Sequence, residues 1–299
     1  MEEDMKDFWG SLPEGFVAQA LALTTPQDAS RLSSVNSFFR SAAEWDTVWA
    51  SFLPPECLEE AVEGGRGLMK EVYLRLCDNP ILIEDGTKSF WLDKLTGKKC
   101  YMLAAKQLSI ALIDSPSCWR WTSMPGSRFT EVTELINACS LGISGNVNTS
   151  ILSPNTTYVA HLVFKATSEA YGFEYHPVEV CFGPYEKNSQ TRMVYLDPQA
   201  QSRRRLRPKR RIGIFGRGIF ANYEVVPSPC DENCPKPRQD GWFEVEIGEY
   251  FNKGGDEVEL EMSVMEVKGG NWKSGLIIHG IEIRPKKNMY KLIYVNYSC

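Results

Sequence analysis

The chain has 299 residues, of which 43% are hydrophobic and 24% are charged, and its formal net charge is −5. This composition is ordinary for a folded, water-soluble protein, and the length suggests two domains or one large domain with a small appendage. There is no run of about 18 apolar residues, so we expect no membrane-spanning helix. The acidic start, Met1–Asp7, lacks the apolar core of a secretory signal, so we expect a cytoplasmic and nuclear protein with reduced cysteines.

Helical signals dominate the first 80 residues. Ser11-Leu-Pro-Glu14 has the spacing of a capping box, and Thr25-Pro-Gln-Asp28 combines a capping hydroxyl, an early proline and a first-turn acid. A further helix is predicted from Leu68 to Leu76, ended by Asp78-Asn79-Pro80. Apolar residues recur at helical spacing at Phe16, Val17, Ala20, Leu21, Leu32, Val35 and Phe39. Each helix is about ten residues long, so packing must stabilise it.

After residue 100 the apolar pattern mostly has a period of two, which predicts short antiparallel strands in a sandwich or barrel. The alternating segments are 108–112, 157–164, 243–247 and 258–264. Residues 276–283 are apolar on both faces, which predicts a central strand ended by Pro285. We expect a helical interruption near 130–139. The stretch from about 184 to 240 is rich in Arg, Pro and Gly and is predicted to be a mobile insertion.

Charge is unevenly distributed along the chain. Residues 1–60 carry eleven acidic and three basic side chains, a net charge of −8. By contrast, Arg203–Arg211 places seven positive charges in nine residues. This basic run is typical of a solvated loop, and the two functional alternatives are a phosphate-binding site and a nuclear import signal. It contains no aromatic residue for base stacking, so nucleic acid is not an expected partner.

The N-terminal pattern resembles the F-box over residues 9–53. The matching strings are Leu12-Pro13-Glu14, Pro26-Gln-Asp28-Ala, Val35, Phe39-Arg40 and Asp46-Thr-Val-Trp49. The resemblance implies a helical domain over residues 1–55 that docks on a Skp-type adaptor and, through it, on a cullin. The expected adaptor-binding residues are Leu12, Pro13, Phe16, Leu21, Leu32, Val35 and Phe39, with the local core as the alternative for each. A unit this small buries little surface, which favours a partner for its leftover apolar face.

A second resemblance covers roughly residues 78–285. Lys88-Ser-Phe-Trp-Leu-Asp, Trp119-Arg-Trp121, Asp240-Gly-Trp242 and Trp272-Lys-Ser-Gly-Leu are similar to strings of plant F-box proteins with a phloem-protein-2 domain. This implies an α+β chain: an F-box, a helical or extended linker over 56–100, a jelly-roll-like β-sandwich lectin domain over 101–285, and a tail over 286–299. The domain is related to tobacco-agglutinin-type lectins, which bind N-acetylglucosamine oligomers and N-glycan cores.

A sugar site needs an aromatic face against the ring and carboxylates or amides that accept hydrogen bonds. By the resemblance, the carbohydrate-binding positions are Trp119, Glu259 and Glu266. Where the lectins carry a second tryptophan, this chain has Leu112, which is in phase with Leu108 and is expected in the core. Glu266 shares the inward parity of its strand, so we expect a bulge or a pocket there. Structural packing for Trp119 and a solvated strand face for Glu259 are the alternatives.

No other group of residues indicates a catalytic or metal site. Cys230 and Cys234 have the spacing of half a zinc site but no companion pair nearby, and the three histidines lie far apart. No nucleophile and base stand out, so we expect no catalytic residue, metal or cofactor. The sequence therefore predicts the substrate-recognition subunit of an SCF-type ubiquitin ligase that binds a target protein or N-glycan. The alternatives are a lectin acting without ubiquitination and, third, a nucleic-acid binder through residues 203–211.

Overall fold

The computed structural model describes residues 12–58, 68–174, 176–185, 191–199, 207–208, 223–224, 233–266 and 270–287. The chain divides into two compact units. The first comprises Met1–Leu82 and Phe90–Tyr101, and the second comprises Ile83–Ser89 and Met102–Cys299. No helix among the described residues is long and apolar enough to cross a bilayer.

The described part of the first unit contains five α-helices: α1 Glu14–Ala22, α2 Pro26–Leu32, α3 Ser37–Ala43, α4 Asp46–Ala50 and α5 Leu68–Asp78. The predicted capping of α2 is confirmed, because Thr25 Oγ1 accepts the Asp28 amide at 3.2 Å. Asn36 caps α3 in the same way, accepting the Phe39 amide at 2.8 Å. The capping box predicted at Ser11 lies outside the described residues. Helix α5 ends at Asp78, before Pro80, as predicted.

The core of the first unit is made largely of small side chains and a few aromatic rings. The buried apolar residues include Val17, Ala18, Leu21, Ala29, Ala42, Ala43, Val48, Trp49, Tyr73 and Leu76. The ring of Trp49 lies 5.3 Å from the ring of Tyr73 on α5 and 5.9 Å from the ring of Phe52. Several larger apolar side chains of this unit, among them Phe16 and Val35, stay at the surface.

The strands are β1 Ile81–Ile83, β2 Lys88–Leu92, β3 Lys99–Ala104, β4 Ser109–Ile110, β5 Trp119–Thr122, β6 Val132–Leu135, β7 Gly142–Asn148, β8 Thr156–Tyr171, β9 Val178–Pro184, β10 Arg192–Val194, β11 Arg207–Pro208, β12 Tyr223–Glu224, β13 Lys236–Pro237, β14 Phe243–Asn252, β15 Glu259–Met265 and β16 Ser274–Pro285. The boundary between the units falls within β1, β2 and β3. The predicted linker of residues 56–100 is therefore structured where it is described.

The second unit is the predicted antiparallel β-sandwich. One sheet contains β3-β16-β8-β14-β13 in that order, with β6 pairing both β16 and β5, and the other has the order β10-β9-β15-β7-β4. Neighbours such as β8 and β14, or β7 and β15, pair antiparallel. The predicted alternation in β15 is confirmed, since Leu260, Met262 and Val264 are fully buried. Strand β16 is buried on both faces, as predicted for a central strand, and ends at Pro285.

The chain turns where the sequence predicts a continuing strand at Leu112. Strand β4 stops at Ile110, and the amide of Ala111 donates to the Gly142 carbonyl at 2.8 Å. Leu112 then adopts a left-handed conformation, with φ of 62°, and is 51% exposed. The prediction that Leu112 lies in the core is wrong, because the alternation of faces ends where the strand ends. The helical interruption expected near 130–139 is also wrong, since β6 occupies 132–135.

Both ends of the predicted insertion from about 184 to 240 belong to the sandwich. Strand β10 pairs with β9, β13 pairs with β14, and Val194 is fully buried. The basic run of residues 203–211 lies outside the described residues except for the short β11, which pairs with β12. The tail beyond residue 287 also lies outside them. Six described cysteines are reduced thiols, as expected: Cys57, Cys77, Cys100, Cys118, Cys139 and Cys181. Cys234 is the exception among the described cysteines, because it is disulfide-bonded.

Candidate functional site

The first unit exposes part of the surface that the sequence assigns to an adaptor. Phe16 is 62% exposed and Val35 is 65% exposed, and Pro13 is also exposed. Leu12, Leu32 and Phe39 are half-buried. Leu21 is only 2% exposed and belongs to the core of the helical unit, so this candidate is not a surface contact in this conformation.

Two further apolar side chains on this unit were missed by the sequence reasoning. Leu23, directly after α1, is 89% exposed, and Trp45, directly before α4, is 41% exposed. The Trp45 indole donates to Glu14 Oε1 at 3.0 Å, so its ring is held against the start of α1. Leu23 lies seven residues after Phe16 and three after Ala20, so helical spacing from the exposed Phe16 could have found it. Trp45 lies between two helices, where periodicity gives no signal.

In the second unit, the three predicted carbohydrate-binding residues do not form one site. Glu259 is the first residue of β15 and Glu266 follows its last residue. A strand of seven residues is roughly 23 Å long at about 3.3 Å per residue, so one sugar ring cannot contact both carboxylates. Trp119 is 3% exposed and its indole donates to the Ala111 carbonyl at 2.9 Å.

Glu266 is held by a buried ion pair. Its side chain and that of Lys273 are each 2% exposed, and Lys273 Nζ lies 2.6 Å from Glu266 Oε1. The contact is close but lacks hydrogen-bond geometry, and neither carboxylate oxygen has a hydrogen-bond partner among the described residues. The inward parity predicted for Glu266 is confirmed, but the expected bulge or open pocket is wrong, because Lys273 supplies the counter-charge.

One groove lies beside Trp119 and has a volume of about 590 Å³. It is lined by Ile113, Asp114, Pro116, Trp119, Arg120, Trp121 and Ile136. Trp121 is 37% exposed, so it offers more aromatic surface here than Trp119. Arg120 is paired with Glu134 at 2.7 Å. This groove combines an aromatic ring with one acidic side chain, and it does not contain Glu259.

A second groove surrounds Glu259 and has a volume of about 690 Å³. It is lined by Asn146, Pro184, Tyr185, Tyr250, Glu257, Val258, Glu259 and Glu261. Tyr185 is 82% exposed, and the Tyr250 ring packs edge-on against Phe182 at 6.1 Å. Two tyrosines, three carboxylates and an amide are the groups that bind sugar hydroxyls and ring faces. This groove therefore meets the chemical needs of a saccharide site more fully than the groove beside Trp119.

A buried ionic cluster lies on the sheet that contains β14 and β16, and the sequence reasoning missed it. Arg284 contacts both Glu244 and Glu282 at 2.6 Å, and Arg238 contacts the same two carboxylates at 2.8 and 3.0 Å. Burial alone would raise the pKa of Glu244, but hydrogen bonds and charge from Arg284 outweigh it and lower the pKa to about 2. The signal was the two charges in Gly280-Ile-Glu-Ile-Arg-Pro285, inside an otherwise apolar strand.

This cluster is structural, because its charges are mutually paired. His161 completes it, with Nε2 3.3 Å from Arg284, and burial followed by the nearby arginine lowers the pKa of His161 to about 4. Arg238 lies just after β13, so the cluster ties the end of the insertion to β16. Among the described residues, no group of three or more His, Cys, Asp or Glu side chains is arranged to hold a metal.

Comparison with known proteins agrees with both units. The family Phloem protein 2 matches residues 98–285. "F-box protein At2g02240" of Arabidopsis thaliana is 42% identical over 280 residues, which cover 93% of this chain and 80% of that protein. "F-box protein VBF" from the same plant is 38% identical over 285 residues, covering 92% of this chain and 99% of that one.

Among solved structures, the fold is similar to a family 35 carbohydrate binding module from Clostridium thermocellum. The TM-score is 0.32 and the identity is 9%, over 62% of this chain and 96% of that one. The family match and the Arabidopsis relatives identify the short-helix unit followed by a β-sandwich as an F-box protein with a second, β-rich domain. The chain belongs to the plant F-box proteins that carry a phloem protein 2 domain.

Proposed function

We propose that this protein is the substrate-recognition subunit of an SCF-type cullin ubiquitin ligase. The observation that carries the proposal is the apolar surface of the helical unit, where Phe16 and Val35 are each more than 60% exposed. A small helical unit that leaves several apolar side chains of this size at its surface offers them to a partner. A Skp-type adaptor is the partner that an F-box implies, and a cullin follows through the adaptor. We place this activity in the cytoplasm and nucleus.

In this role the chain works by proximity and contributes no catalytic residue. The helical unit binds the adaptor while the β-sandwich binds a target. A lysine of the target is therefore held near the conjugating enzyme that carries the ubiquitin. Such tethering raises the effective concentration of the two reactants without new chemistry at the receptor. The bond-forming groups belong to other subunits.

We assign target recognition to the groove of Tyr185, Tyr250 and Glu259. Its proposed ligands are N-glycan cores or N-acetylglucosamine oligomers. Stacking a sugar ring on a tyrosine covers about 50 Å², which contributes only ~1 kcal/mol at roughly 25 cal/mol/Å². Discrimination therefore rests on the carboxylates, which accept hydrogen bonds from hydroxyl and acetamido groups. Removing the exposed ring with Tyr185→Ala should weaken binding of a chitin oligomer about fivefold.

Binding to the adaptor is tested by titrating the full-length protein against a purified Skp-type adaptor. Phe16→Ala should raise the Kd at least tenfold, because a large exposed ring at the centre of an interface typically contributes 2 kcal/mol or more. Phe251→Ala is the matched control, since Phe251 is 55% exposed but lies in the second unit. Equal affinity of the wild type and Phe16→Ala, or no measurable binding by the wild type, would refute the role.

The second candidate function is a lectin that acts without ubiquitination. It is favoured by the groove of Glu259, which lies wholly in the second unit and needs nothing from the helices. Glycan binding by the purified chain, together with unchanged lifetimes of the bound glycoproteins when the F-box is deleted, would support this function. Shorter-lived targets only when the F-box is present would decide for the ligase.

A further inference from the structure

A hairpin between β2 and β3 belongs to the helical unit, although it lies far from the F-box in sequence. Residues 90–101 group with the helices. The turn of this hairpin, which we call the hairpin tip, comprises residues 93–98. It is closed by hydrogen bonds from the Asp93 amide to the Lys98 carbonyl and from the Gly97 amide to the Asp93 carbonyl, both at 2.8 Å.

The hairpin tip completes the hydrogen bonding at the start of α2. The first N–H groups of a helix have no partner within the helix. In α2, Pro26 has no N–H, the Asp28 amide donates to Thr25 Oγ1 at 3.2 Å, and the Gln27 amide donates to the Leu95 carbonyl at 3.3 Å. One of the first-turn donors of this F-box helix is therefore satisfied by the hairpin tip.

The hairpin tip also packs closely against F-box residues at Gly97. Gly97 has φ of 69°, which a side chain rarely adopts. A Cβ at this position would lie 3.3 Å from Pro26 Cγ and 3.5 Å from the Phe52 carbonyl oxygen. Gly97 thus allows the hairpin backbone to pack between the start of α2 and the residues that follow α4.

Tyr73 on α5 also holds the hairpin tip. Its hydroxyl donates to the carbonyls of Asp93 at 3.2 Å and Lys94 at 3.1 Å. Its ring lies 5.3 Å from the Trp49 ring and 6.3 Å from the Phe52 ring. Burial raises the pKa of Tyr73, so the hydroxyl remains a donor throughout the physiological range.

We propose that the hairpin tip is a positioning element of the adaptor-binding surface, so that the adaptor-binding module includes residues 68–82 and 90–101 in addition to the F-box. This rests on the proposed adaptor role. Helix α2 has seven residues and cannot persist without packing. Leu32 ends this helix and Val35 follows it, so fixing the start of α2 fixes where both side chains are presented. Loss of the hairpin contacts lowers the fraction of molecules competent to bind, and the apparent Kd rises by the inverse of that fraction.

The experiment uses full-length Gly97→Ala and Tyr73→Phe, titrated against a purified Skp-type adaptor with association and dissociation rates recorded. Both variants should raise the Kd about fivefold, mainly through slower association, because the contacts in the complex itself are unchanged. Amide exchange at Gln27 and along α2 should become faster in both. The control is Gly126→Ala, where φ is 77° and no atom lies within 4 Å of the Cβ position, so backbone strain alone is tested.

An unchanged Kd despite faster exchange in α2 would overturn the proposal. So would a rise in Kd carried by dissociation alone, because it would place the hairpin tip in direct contact with the adaptor. If the wild type does not bind the adaptor, the proposed ligase role fails, and the exchange data then decide alone. Faster exchange in α2 in both variants would then still show that the hairpin tip fixes the start of α2, and unchanged exchange would refute it.

Discussion

Replacing Lys273 with methionine should destabilise the β-sandwich, because it leaves the Glu266 carboxylate buried without its counter-charge. Both side chains are 2% exposed, and Nζ lies 2.6 Å from Oε1. Lys273 also donates to the Asn271 carbonyl at 2.7 Å, so the substitution removes a hydrogen bond together with the charge. Methionine fills a similar volume, which limits the effect of a cavity.

The expected loss is about 3–5 kcal/mol, the range for breaking a buried ion pair by removing one partner. For a unit of this size each kcal/mol lowers the Tm by about 2–4 °C, so the Tm should fall by roughly 10 °C. The double variant Glu266→Met/Lys273→Met should regain most of the loss, because a buried pair replaced by apolar residues is often neutral or stabilising.

The assay is chemical denaturation of the full-length protein, following the unfolding of the β-sandwich. The control is Lys253→Met, whose lysine is exposed and should change the free energy of unfolding by less than about 0.5 kcal/mol. A Lys273→Met variant as stable as the wild type would refute the reasoning. A double variant as unstable as the single one would do the same, since the cost would then not come from the unpaired charge.

Two other predictions concern the same unit. Gly280→Ala should prevent normal folding of the sandwich, because a Cβ at Gly280 would lie 1.9 Å from the Leu103 carbonyl oxygen. Gly126→Ala should be tolerated, because no atom lies within 4 Å of a Cβ there, and a thermal melt of each variant checks both outcomes. Acid should destabilise the fold in two stages. The folded pKa values of His161, about 4 against 6.5, and of Glu244, about 2 against 4.5, are both depressed, so the folded state binds fewer protons and stability falls as the pH falls. His161 contributes a loss of roughly 3 kcal/mol between pH 6.5 and 4, at about 1.4 kcal/mol per pKa unit, and Glu244 a further loss below about 4.5. The denaturation midpoint measured against pH checks this, and a flat midpoint would contradict it.

The order of the modules and most of the long strands could be predicted from the sequence. Strands such as β15 and β16 carry many apolar residues with the period of a sheet, so burial of one or both faces is already encoded. Caps such as Thr25 are equally local, because donor and acceptor are three residues apart. The family resemblance extended this prediction to the adaptor and the lectin domain.

Prediction failed where a local pattern ends without a local signal. Leu112 continues the alternation of Leu108 and Ile110, yet the chain has already turned, because Ala111 donates to Gly142 in a strand far along the chain. Leu21 and Phe16 both fit an apolar helical face, and only packing against the other helices separates core from surface. The predicted sugar site was also divided by the tertiary structure, because Glu259 and Glu266 stand at opposite ends of β15.

The sequence by itself determined that an acidic helical module precedes an antiparallel sandwich, since period and capping depend on neighbours along the chain. Only the tertiary structure decided which distant groups meet. It paired Glu266 with Lys273, placed Glu259 among tyrosines roughly 23 Å away along the strand, and brought the hairpin tip to α2. Ion pairs, grooves and close backbone contacts form between residues that are remote in sequence, and no periodicity records such distances.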